Sequence, residues 1–284
     1  MQPTTLSRRI AASPLAPVAN FPVRLATVAR YNADVLKRSG SWLLRSRENA
    51  CFTYDLKPVN REHLAWFTAT VTGSPVAEIR GYLDEVERDG VLREHVRRTL
   101  AVSPRRRTCD HLVRYARRAA AYAAVRALKP SHVVEAGVHR GITSCLAAAA
   151  LLRNGHGRLT TVDIDPQYGE LTRQGPYAQV IDRVVGDSVT ALAEQRQIDL
   201  LLLDTYVGAA HESAELDAAA PGLGADGIVL STTSHWLTSL ADWSERSGRT
   251  FLHFREDPAG HWHPGEGYGA SFGAGARAAG GTAR

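Results

Sequence analysis

Val133-Val134-Glu135-Ala136-Gly137-Val138-His139-Arg140-Gly141 decides how this chain is read. An apolar run enters a turn with glycines at 137 and 141, and 143–153 then shows helical spacing. Glycine lets a backbone pass close to a ligand, and a helix N-terminus adds partial positive charge. A nicotinamide-dinucleotide fingerprint would need glycine at 137, 139 and 142. Positions 139 and 142 are His and Ile, so the glycine that admits a pyrophosphate is missing. The pattern suits a ligand with a carboxylate and an amine, with Glu135 on the ammonium side and backbone amides and Ser144 on the carboxylate side. His139, inside the turn, is expected to touch the ligand.

Outward from that stretch the same alternation repeats. Apolar runs at 132–136, 159–163, 180–185, 199–204, 227–230 and 250–254 alternate with helical patterns at 143–153, 167–172, 189–195, 212–220 and 237–246. This predicts an α/β fold, a doubly wound and mostly parallel sheet with helices on both faces. Ligands in such folds bind outside the carboxyl ends of the strands, near the point where strand order reverses. Upstream, helical patterns at 24–47, 60–70, 76–89, 92–100 and 110–128 read as a helical cap region over 23–129 with no sheet of its own. The binding domain is expected over 130–273. The Pro/Ala/Ser-rich residues 1–22 and the Ala/Gly-rich tail 274–284 read as disordered.

Three further strand ends carry polar groups. Asp163, 22 residues after Gly141, ends the second strand, where an ionised carboxylate can accept two ribose hydroxyl protons. Asp165 precedes Pro166 and reads as a cap. Val184-Val185-Gly186-Asp187-Ser188 follows the third strand and offers an acid or hydroxyl to an adenine amino group. Asp204 ends the fourth strand, beside the reacting centre.

Composition narrows the alternatives. The 284 residues are 44% hydrophobic, enough for a sizeable core, with no apolar run near the roughly 20 residues of a membrane span. A secretory signal is not expected, and three dispersed cysteines, Cys51, Cys109 and Cys145, fit a reducing, cytoplasmic setting. The net charge of +5 divides unevenly, +12 over 1–129 and −7 over 130–284. The Arg105-Arg106-Arg107 run lacks interleaved aromatics, and there is no Asn-Pro-Pro-Tyr-like motif, so the basic half reads as solvated helices rather than a nucleic-acid surface. The expected partner is a small-molecule substrate, with a homo-oligomer allowed.

The four strand-end signals, in order and spacing, resemble the class I S-adenosylmethionine-dependent methyltransferases. The chain looks most like the bacterial subgroup of macrolide-sugar O-methyltransferases and cephalosporin-hydroxylase-like proteins. Supporting stretches are Phe52-Thr53-Tyr54-Asp55-Leu56, Tyr115-Ala116-Arg117-Arg118, Phe254-Arg255-Glu256 and His261-Trp262-His263-Pro264-Gly265, and the resemblance spans about 45–273. It implies a seven-stranded sheet with its last strand antiparallel and S-adenosylmethionine as cofactor. Glu135, Gly137, Gly141 and Ser144 would surround the methionine part, Asp163 the ribose, and Gly186, Asp187 and Ser188 the adenine. The implied activity is O-methylation of a small molecule in secondary metabolism. The alternative is a protein of the same fold that binds the cofactor and has lost or changed methyl transfer.

Relatives often hold a divalent metal such as magnesium with the acid at 204 and an acidic or amide pair after the fifth strand. Here that strand runs into Ser231-Thr232-Thr233-Ser234-His235. One Asp with hydroxyls is a poor set for a hard cation, so no metal ligands are assigned. A metal-free reaction at a hydroxyl needs a general base, and Asp204, His211 and His235 are the catalytic candidates. The segment around Trp262 reads as a loop packing that ring against the sheet.

Overall fold

In a computed structural model, the structure describes residues 13, 16–49, 52–104, 106–107, 112–206 and 208–273. Of residues 1–22, expected to be disordered, 16–19 and 21–22 lie in helices, while those before 13 with 14–15, the tail 274–284, Cys51, Cys109 and Arg105 lie outside the described residues. The described residues form two compact units, one drawn from 13–46 with 260–262, the other from 47–259 with 263–273.

The first unit holds a short helix, α1 (Ala16–Ala19), and α2 (Phe21–Arg45), a single 25-residue helix with Pro22 in its first turn. Pro there costs nothing, because the missing N–H would have no intrahelical partner. Trp262 lies in this unit with its ring 5.1 Å from that of Trp42 on α2.

The second unit begins with β1 (Asp55–Leu56), followed by α3 (Pro58–Thr72), α4 (Val76–Arg88), α5 (Gly90–Val102) and α6 (Ala119–Leu128). Then come β2 (His132–Ala136), α7 (Ile142–Asn154), β3 (Arg158–Asp163), β4 (Ile181–Val185), α8 (Ser188–Glu194), β5 (Ile198–Leu203) and α9 (Ala209–Ala219). The unit ends with β6 (Leu223–Ser231), α10 (Ser239–Arg246), β7 (Thr250–Arg255), β8 (Pro258–Ala259) and β9 (Gly267–Phe272). Among the described residues seven strands make one sheet in the order β4-β3-β2-β5-β6-β9-β7. Neighbours from β4 to β6 are parallel, and β9 lies antiparallel between β6 and β7. The chain winds outward from β2 to β4 and then crosses back to β5, so the switch point lies between β2 and β5.

Side-chain alternation with period 2 divides the core. Val133, Leu200, Leu202, Ile228 and Leu230 face a core shared with α3–α7, while Val134, Ala136, Leu201, Leu203 and Val229 face Leu192, Leu216, Leu240 and Trp243 of α8, α9 and α10. The helices of 58–128 are thus one wall of the sheet's own core.

Several local expectations are corrected. Asp89, expected to end the 76–89 helix, instead caps the next one, which opens at Gly90 rather than 92, by accepting from Leu92 N at 2.9 Å. Residues 167–172 form turns rather than a helix. The 110–128 helix begins only at a 3-10 turn, Ala116–Arg118, and 112–115 are not helical. The N-terminal region does contribute to a sheet, because β1 pairs antiparallel with β8.

Candidate functional site

The glycine turn is built by the fold itself. Gly137 has φ +81, and a Cβ there would collide with the backbone carbonyl of Asp204. Asp163 clamps the turn, its Oδ2 accepting from Val138 N (2.9 Å) and His139 N (3.0 Å) and its Oδ1 from Asp165 N (3.0 Å). His139 is left exposed at φ +50, and Gly141 caps α7 at φ +86. Asp165 accepts from Gln167 N, as a turn-forming Asp does.

At the carboxyl ends of β2, β3, β4 and β5 lies a cavity of about 350 Å³. Gly137, His139, Asp163, Gly186, Asp187, Ser188, Asp204 and His211 line it, with Thr205 and Tyr206. Eight of the sequence-derived site residues therefore meet at one place. Gly186 differs from Gly137, in that a Cβ added there would meet no protein atom within 4 Å. The opening beside it is space that a ligand can fill.

Asp187 caps α8, its Oδ1 accepting from Thr190 N and Thr190 Oγ1 at 2.9 Å each, and these bonds hold its carboxyl below the usual range. Ser188 donates to the buried Glu215, which also accepts from Thr205 Oγ1 at 2.7 Å and lies 3.1 Å from His211 Nε2. Burial raises the Glu215 pKa, while the two hydroxyls pull it back. The i,i+4 spacing of His211 and Glu215 was visible in sequence, but a buried glutamate behind the cavity was not, since nothing local marks it.

Glu135 and Ser144 lie below this surface. Both are fully buried, Ser144 donates to Glu135 Oε2, and neither lines the cavity. Burial pushes the Glu135 carboxyl up to about 8, against the Ser144 hydrogen bond, with Asp204 and Asp163 adding to the rise.

Asp204 is exposed at the mouth and accepts from Thr232 Oγ1. Thr233 turns inward, donating to Glu212 Oε1 at 2.6 Å, where Ser231 also donates. His235 does not line the cavity. Its Nδ1 is 2.7 Å from Thr232 O, which can only accept, so Nδ1 carries the proton and Nε2 is enclosed without a partner among the described residues. Burial lowers its pKa. Among the described residues no group of three or more His, Cys, Asp or Glu side chains is placed to hold a metal ion.

The structure also joins three stretches far apart in sequence. Glu256, buried, accepts from Tyr54 OH (2.8 Å), Arg117 N (2.9 Å) and Arg117 Nη1 (3.0 Å), and Arg117 also pairs with Glu266 at 2.5 Å. Arg118, next in the chain, points elsewhere. It lines a smaller cavity of about 50 Å³ with Phe52, Thr53, Gly141, Thr143 and Asp204. Its sequence neighbourhood gave no separate signal, because adjacent arginines look alike until one is buried.

Residues 134–231 match a family model described as a methyltransferase domain. No curated protein sequence matches the chain. Similar solved structures include a methyltransferase from Geobacter sulfurreducens (20% identity, TM-score 0.48), covering 69% of this chain and 95% of that one. An O-methyltransferase from Streptomyces achromogenes involved in tomaymycin synthesis, in complex with S-adenosylmethionine, is 13% identical with a TM-score of 0.49 (63% and 89% covered). An O-methyltransferase from Bacillus cereus in complex with S-adenosylhomocysteine is 12% identical with a TM-score of 0.46 (65% and 91% covered). The matched residues run from β2 to the end of β6 and include the strands whose carboxyl ends surround the cavity. No helix among the described residues is long and apolar enough to cross a membrane.

Proposed function

We propose that this protein is an S-adenosylmethionine-dependent O-methyltransferase acting on a hydroxylated small molecule of secondary metabolism, without a resident metal. One observation carries the reading: the 350 Å³ cavity lies at the switch-point strand ends and gathers the glycine turn, Asp163, Gly186, Asp187, Ser188 and Asp204. The residues present fit the cofactor. Asp163 has acceptor capacity beyond its three backbone bonds for ribose hydroxyls, and the open face at Gly186 leaves room for a flat base. When bound, S-adenosylmethionine supplies an electrophilic methyl group.

The chain's own contribution is to position the acceptor and to take up its proton. Asp204 and His211 are the groups at the cavity suited to that proton, and the enclosed Nε2 of His235 is not. One exposed carboxylate beside threonine hydroxyls is a poor cradle for magnesium, which underlies the metal-free reading.

Methyl-transfer assays on a panel of hydroxylated metabolites, with magnesium and with EDTA, test this. The expected result is turnover that EDTA leaves intact. Abolition by EDTA and recovery with magnesium would overturn the metal-free part. Cofactor binding without transfer to any acceptor would favour a protein that keeps the fold and has lost the reaction.

A further inference from the structure

The small cavity beside the glycine turn is lined by three charged residues, Arg118, Arg140 and Asp204, of which Arg140 already faces Glu170 at 3.6 Å. Among the described residues the Arg118 side chain makes no hydrogen bond or ion pair, whereas that of its neighbour Arg117 is bound to Glu256 and Glu266. A half-buried guanidinium in direct contact with no carboxylate is a recognition group for an anion. The other walls do not compete for it, since Phe52 is apolar and the Thr53 hydroxyl already donates to Glu48 at 2.5 Å.

Size narrows the anion. About 50 Å³ takes a carboxylate-sized group and not a whole small-molecule substrate. The cavity shares Val138, His139 and Asp204 with the 350 Å³ cavity, so it is a side chamber of that site. A ligand lying along the larger cavity reaches it with one end. An α-amino-acid end has one carboxylate and one ammonium, matching the unpaired Arg118 and Asp204, with Arg140 already facing Glu170. The N-terminus of α7, with Ile142 and Thr143 on the same wall, adds backbone donors to the anionic side. Ser144, the sequence-based candidate for the carboxylate, lies in neither wall and is spent on Glu135.

We infer that Arg118 holds the carboxylate of the cofactor's methionine end, with Asp204 facing its ammonium. This rests on the cofactor reading above. It makes the chain a reader of an intact amino-acid end, able to reject adenosyl compounds that lack the carboxylate.

Calorimetric titration with S-adenosylhomocysteine, its decarboxylated analogue and 5′-methylthioadenosine tests the inference, because none of the three needs turnover. The wild-type protein is expected to bind S-adenosylhomocysteine about 10- to 100-fold more tightly than the decarboxylated analogue, the range of a charge-assisted hydrogen bond. Arg118→Met should lose that preference while binding methylthioadenosine within about threefold of wild type. Arg118→Lys, which keeps the charge and folds with less risk, should retain part of the preference. If wild type and both variants prefer the carboxylate equally, the Arg118 assignment is wrong while the cofactor reading stands. If the wild-type protein takes up none of the three, the cofactor reading itself falls and the inference with it.

Discussion

Residues fix what the cavity can hold, and two of its glycines do so for opposite reasons. Gly137 is required by the protein, because any side chain meets the Asp204 carbonyl. Gly186 faces open space. Gly137→Ala is therefore expected to unfold or severely destabilise the domain. Gly186→Val should leave stability within about 0.5 kcal/mol and cost at least about tenfold in S-adenosylhomocysteine affinity, read by denaturation and calorimetry. Asp204→Ala should lower turnover by a far larger factor than cofactor affinity, since removing a general base costs about 10²–10⁴ in rate and an exposed ion pair is worth about 1 kcal/mol or less. His235→Ala should leave the rate within about threefold, because its free nitrogen is enclosed. Glu135 gives a pH signature. Its folded pKa of about 8 lies above the ordinary value, so the folded state holds a proton that the unfolded chain has released. Stability from this group is full below about pH 4.5 and is lost as pH rises toward 8, with a slope approaching about 1.4 kcal/mol per pH unit. Glu135→Gln should flatten that part of the melting-temperature profile, and an unchanged profile would contradict the burial argument.

At the scale of elements, what was legible in the sequence was local. The six runs from His132 to Phe254 announced β2–β7 within a few residues, because apolar strands bounded by Gly, Asp and Pro signal themselves over short windows. β9 has no such signal in Gly267-Tyr268-Gly269-Ala270-Ser271-Phe272, where two glycines and small residues mask its complete burial. The close approach of Gly269 to Ser234 explains one of those glycines, since a Cβ there would collide with that side chain. β1 is two residues long and exists only through its pairing with β8. The Tyr54–Arg117–Glu256 cluster was equally hidden, since Arg117 and Glu256 lie 139 residues apart. Burial drives the Glu256 pKa up, but the Arg117 charge, the Arg117 backbone N–H and the Tyr54 hydroxyl together outweigh it and leave the carboxyl below its usual range. Glu256→Leu should therefore remove the buried one of the two carboxylates that face Arg117 and destabilise the protein by about 3–5 kcal/mol in urea unfolding, and the double change with Arg117→Met should recover much of that loss.

For the whole molecule, the sheet order and the glycine turn create one place where a ligand can approach four strand ends at once, and the helices of 58–128 complete the core behind it. Sequence located that place through Glu135, Gly137, Asp163 and Asp187 but assigned depth poorly. It put Glu135 and Ser144 in contact with the ligand, where the structure buries both, and it quoted Arg118 only within a supporting stretch, giving no place in the wall to it. Spacing along a chain reports which element a residue is on, whereas depth depends on what packs over it from elsewhere. The central claim, a site built for S-adenosylmethionine rather than a dinucleotide, is tested most directly by parallel calorimetric titrations with S-adenosylhomocysteine and with NAD. The predicted result is saturable one-to-one binding of S-adenosylhomocysteine, weakened by about 1–3 kcal/mol in Asp163→Ala, with no binding of NAD. Binding of NAD, or silence toward S-adenosylhomocysteine, would contradict it.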